Sequence, residues 1–76
     1  MIDLLKFLIA KITNSDDFEI SEAPEGEKIN FTVSANPSII GLIIGKGGKT
    51  IKNIRKILSI RAVLENKSVN ISVTEK

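Results

Sequence analysis

Apolar residues recur along this chain with two different periods, and the switches between them divide it into six elements. Ile2, Leu5, Leu8, Ile9 and Ile12 fall at helical spacing, with Asp3, Lys6 and Ala10 opposite, which predicts an amphipathic helix over residues 2–13. Thr13-Asn14-Ser15-Asp16 is a polar stop. Phe18 and Ile20 then alternate with Glu19 and Ser21, and Ile29, Phe31 and Val33 alternate with Asn30, Thr32 and Ser34. Period-two alternation of this kind predicts strands with one buried face. Ala23-Pro24-Glu25-Gly26 lies between them and has turn chemistry, so the two strands are expected to form an antiparallel hairpin.

Asn36 followed by Pro37 predicts an N-cap and a first-turn proline. A short helix should run from about Pro37 to Ile44, with Gly45 ending it. A long helix is expected from near Gly48 to about Glu65. Val69, Ile71 and Val73, alternating with Asn70, Ser72 and Thr74, predict a last strand. The order is α-β-β-α-α-β. The fold class expected is α+β, with a three-stranded sheet and three helices packed on one face. The 76 residues make one domain, 1–76, with no repeat, linker or low-complexity stretch.

The richest segment is Ile39-Ile40-Gly41-Leu42-Ile43-Ile44-Gly45-Lys46-Gly47-Gly48-Lys49-Thr50-Ile51. A tight corner between two helices, with glycine at both ends, lets another backbone approach closely. The start of the second helix offers unpaired N–H groups and a positive dipole end to an anion. Lys46, Lys49 and Lys52 place mobile charge around the same corner. A phosphate is the natural partner, and a row of phosphates means nucleic acid.

Charge points the same way. The formal net charge is only +2, but residues 1–45 hold three lysines against seven acids, and residues 46–67 hold seven bases against Glu65 alone. A basic block confined to one loop and one helix is the footprint of a phosphate-binding face. The plain alternative, a solvated helix face or a corner whose glycines merely permit a bend, does not account for lysines crowding that corner. There is no histidine and no cysteine. That removes the commonest general base, thiolate chemistry and the commonest metal ligands, so no enzymatic activity, metal or cofactor is expected.

Two nucleotide-binding motifs fail on single residues. Gly48-Lys49-Thr50 resembles the end of a P-loop, but the pattern needs glycine where Ile43 stands and a strand where a helix is predicted. A dinucleotide fingerprint would need glycine in place of Thr50. Nor is an aromatic platform for bases available, since Phe18 and Phe31 keep step with core positions.

The tetrad Gly45-Lys46-Gly47-Gly48, with Ile43-Ile44 before it and Ile51, Ile54 and Arg55 after it, resembles the GxxG loop of KH domains. The element order matches the type II arrangement of that fold. The chain as a whole resembles the small bacterial family of single-KH RNA-binding proteins, the KhpA-like proteins. The resemblance implies a groove for about four nucleotides of single-stranded RNA. Its backbone would lie on Gly45, Lys46, Gly47 and Gly48. Lys49, Lys52 and Arg55 would extend the positive track. Ile44 and Ile51, with Ile40, would form an aliphatic wall facing the last strand near Ile71. Gly41 would leave room for a base or sugar. Single-stranded DNA is a second ligand such grooves can take.

On the long helix Ile51, Ile54, Leu58 and Ala62 cluster within about 80° of one another, which marks a core stripe. Lys49, Lys52 and Lys56 form a basic row. Ile57, Ile60 and Leu64 form a second apolar stripe. This stripe is either further core beneath the first helix or an exposed patch for another subunit. The family resemblance implies the latter, as a homodimer or a heterodimer with a larger KH-containing protein, in post-transcriptional regulation. The competing function is an assembly module in which RNA binding is secondary. The apolar start of the chain is too short and too charged to span a bilayer and lacks the marks of a leader. A cytoplasmic location is therefore expected, with no membrane and no small-molecule substrate.

Overall fold

The computed structural model describes residues 1–76. Its elements are α1 (Ile2–Thr13), β1 (Phe18–Glu25), β2 (Lys28–Ala35), α2 (Pro37–Ile44), a single 3₁₀ turn (Lys46–Gly48), α3 (Lys49–Leu64) and β3 (Ser68–Glu75). The strands form one sheet in the order β1-β2-β3. β1 and β2 pair antiparallel, and β2 and β3 pair parallel. A parallel neighbour needs a long crossover, and here the α2–turn–α3 segment supplies it.

The central strand β2 alternates as expected, with Ile29, Phe31, Val33 and Ala35 buried. They meet Leu5 and Ile9 of α1, Ile39 and Ile43 of α2, Ile54 and Leu58 of α3, Phe18 and Ile71 in one core cluster. Phe31, at its centre, is fully buried. Burial of such side chains is the main term holding a chain of this size together. The opposite face of the sheet is polar, and an Asn70 side-chain amide donates to Asn30 Oδ1 across β2 and β3 (3.4 Å).

Two local expectations are corrected. The hairpin turn is Gly26-Glu27, flanked by the pair Glu25 and Lys28, so the chain turns later than Ala23-Pro24. Gly26 takes φ +62°, the left-handed value that the first position of a tight hairpin loop requires. Pro24 lies within β1 opposite Ile29. β1 is an edge strand, where a missing N–H need not break a ladder. In α1 the buried row is Leu5, Ile9 and Thr13, whereas Ile12 is exposed. Thr13 can be buried because its hydroxyl donates to the Ile9 carbonyl at 2.8 Å. Ala10, placed on the outer side by its spacing, is half-buried against the core. No helix is long and apolar enough to cross a membrane.

Candidate nucleic-acid interface

The site is built at the corner between α2 and α3. Asn36 caps α2, its side-chain oxygen accepting from the Ile39 N–H at 3.0 Å, and Pro37 opens the first turn. Ile39 and Ile43 anchor the helix in the core. The Gly45 N–H donates to the Gly41 carbonyl at 2.9 Å and closes the last turn. Gly41 itself is exposed, and a Cβ there would meet nothing within 4 Å. Ile40 and Ile51 are half-buried against the core, while Ile44 is half-buried outside the core cluster. The region near Ile71 does not supply an opposing wall through that side chain, because Ile71 is itself core.

Gly45 has φ 75° and ψ 175°, a backbone conformation open essentially to glycine alone. Its bare Cα also abuts Thr50 in the first turn of α3. A Cβ at Gly45 would fall on the Thr50 hydroxyl, 2.7 Å from Thr50 Cβ and 3.0 Å from its amide nitrogen. Gly47 and Gly48 are also left-handed, but open space surrounds both. The corner thus has one packing glycine and two conformational ones. Thr50 is a site residue that the sequence reading missed. Its pairing with Gly45 is spatial, and the only trace in the sequence is a small polar side chain just beyond the tetrad.

The Gly48 N–H donates to the Gly45 carbonyl at 3.2 Å, and the Lys49 N–H to the Lys46 carbonyl. The Lys46 and Gly47 amides make no such loop bond. No side chain caps the N-terminus of α3. Successive amides of this kind, at the positive end of a helix, form a concavity suited to an anion. Lys46, Lys49, Lys52, Arg55 and Lys56 all stand exposed around and below it. None is in an ion pair: the two that form are Arg61 with Glu65 (3.6 Å) and Lys76 with Glu19 (3.4 Å). No acid occurs between Glu27 and Glu65. The corner therefore presents free donors and uncompensated positive charge. Acidic side chains do not converge anywhere into a metal-binding group.

The second apolar stripe of α3 is not core in this chain: Ile57 is 42% exposed, Ile60 65% and Leu64 78%. Val63, 70% exposed, adds to the apolar surface at this end of the helix and was not singled out by spacing.

A glycine corner between two helices, laid on a three-stranded α+β sheet and ringed by free cations, defines a KH domain. The chain belongs to the KhpA/KhpB KH-domain family, whose model matches residues 2–73. It is similar to the RNA-binding protein KhpA of Halalkalibacterium halodurans, at 27% identity over 67 residues, covering 88% of each chain. It is 31% identical to the RNA-binding protein KhpA of Clostridium perfringens over 68 residues, 87% of this chain and 91% of the relative. Against the RNA-binding protein KhpA of Clostridium acetobutylicum the identity is 33% over 58 residues, 76% and 77% of the two chains.

Proposed function

We propose that this protein is a non-enzymatic RNA-binding module, a KH domain of type II, that holds about four nucleotides of single-stranded RNA. The observation that carries the reading is the corner Gly45–Gly48. It combines free amides, an uncapped helix start and unpaired cations in one place. The sugar-phosphate backbone lies on Gly45, Lys46, Gly47 and Gly48, with side chains absent where the strand comes closest. Lys49, Lys52 and Arg55 neutralise charge. Bases rest on the half-buried flanks of Ile44 and Ile51, beside the open space at Gly41. The names of the three relatives support RNA as the ligand.

One such corner carries a single lysine in its tetrad, so one domain binds weakly and with loose sequence preference. A second domain supplements it. The exposed Ile57, Ile60 and Leu64 favour a contact with another copy or with a larger KH-containing partner. Such a unit acts in the cytoplasm in post-transcriptional regulation. The test is the double substitution Lys46→Asp with Gly47→Asp. It should abolish gel-shift retention of single-stranded RNA while leaving circular dichroism unchanged. Binding that persists in a folded double variant would contradict the assigned surface.

A further inference from the structure

We infer that the outward face of α3 is a second contact surface for the same RNA strand, so that the bound segment continues past the glycine corner and along the helix. This rests on the RNA-binding reading above and extends it from Lys49, Lys52 and Arg55 to Asn53, Lys56 and Ser59, which have no role there. A shallow depression of about 450 Å³ lies on that face, lined by Lys49, Lys52, Asn53, Arg55, Lys56 and Ser59. Every lining residue comes from α3, so the walls are the side chains themselves. Four are cations, and the other two add an amide and a hydroxyl. Such a set matches phosphate oxygens and ribose hydroxyls.

Three observations favour a nucleic acid strand here. Like charges one turn apart, as at Lys49, Lys52 and Lys56, weaken a helix unless an anion answers them. None of these cations has an acidic partner within the chain. No hydrophobic residue lines the depression, whereas protein contacts have an apolar centre; the hydrophobic side chains exposed on α3 include Ile57 and Ile60 instead. Finally, Lys49 is both the first residue after the glycine corner and the first wall of the depression, so the track is unbroken. From Lys49 to Ser59 the helix rises about 15 Å, roughly the span of four stacked nucleotides at about 3.4 Å each.

The probes are oligouridylates of five and ten nucleotides, titrated against the full chain and its Lys56→Gln variant. Lys56 is exposed and outside the corner, so the fold should be kept. The inference predicts unchanged affinity of the variant for the five-mer and a loss of about three- to tenfold for the ten-mer. The salt slope measured with the ten-mer should shrink by about 0.7, one phosphate contact. Lys6→Gln, a charge removed from α1, should leave both oligomers bound as by the unaltered chain. A five-mer that binds while Lys56→Gln binds the ten-mer normally would overturn this inference alone and leave the face to an acidic protein surface. An equal loss for Lys6→Gln would overturn it too, since net charge rather than the track would then be at work. Failure of the unaltered chain to bind either oligomer would overturn the RNA-binding reading itself.

Discussion

Gly45 and Thr50 touch across the corner between α2 and α3, and the contact leaves no space for a side chain at Gly45. The last residue of the α2 cap and the first turn of α3 are thereby locked together. Lys46 to Gly48 bulge outward from this closure, and the Lys46 and Gly47 amides make no loop hydrogen bond. The contact fixes the angle at which α3 leaves the corner, and hence where Lys49 and Lys52 stand relative to the free amides.

A graded response to alanine follows. Gly45→Ala meets a backbone region closed to it and a clash with Thr50, and should destabilise the domain by about 3 kcal/mol or more. Gly47→Ala meets only the left-handed penalty, about 1–2 kcal/mol, because nothing lies near it. Urea denaturation of the two variants checks the order. Equal losses would show that conformation alone, and not the Thr50 contact, sets the requirement at Gly45.

The need for glycine at this corner was legible in the sequence, but the division of labour was not. Spacing cannot tell a glycine that packs from one that merely turns; that required the distance to Thr50. The six elements were legible because their apolar periods are clean, as in Ile29, Phe31 and Val33. The turn was misplaced because Pro24 reads as punctuation, whereas an edge strand accepts it. Ile12 was misassigned because the buried row drifts to Thr13, whose hydroxyl finds a partner one turn back. The parallel pairing of β3 with β2 has no local signature at all. Exposure of Ile57, Ile60 and Leu64 likewise depends on where α1 lies, which periodicity on α3 alone does not encode.

Affinity for single-stranded RNA should fall steeply with salt. Contacts through Lys46, Lys49, Lys52 and Arg55 give a log–log slope of about −3, at about 0.7 for each phosphate neutralised. Lys49→Gln should weaken binding to all sequences alike and flatten that slope by about 0.7. Fluorescence anisotropy across a salt series measures both. A salt-independent affinity would place the contact away from the basic face.

Assembly should depend on Ile57. At 42% exposure the side chain can be replaced without emptying the core. In a subunit contact, however, Ile57→Lys would bury an unpaired charge, at a cost of several kcal/mol. The variant should remain folded and sediment as a monomer, and RNA should bind it more weakly if two corners normally act together. An oligomer that withstands Ile57→Lys, or a chain that is monomeric from the outset, would remove Ile57 from the interface.

The most direct measurement is titration of single-stranded RNA into the ¹⁵N-labelled protein, followed by amide chemical shifts. The largest changes should fall on Gly45 to Lys52, with the Lys46 and Gly47 amides moving most, because those N–H groups gain a phosphate acceptor. The outer sheet face, at Thr32 and Ser72, should stay unmoved. Shifts centred on the sheet face, with Lys46 and Gly47 unchanged at saturation, would contradict the account.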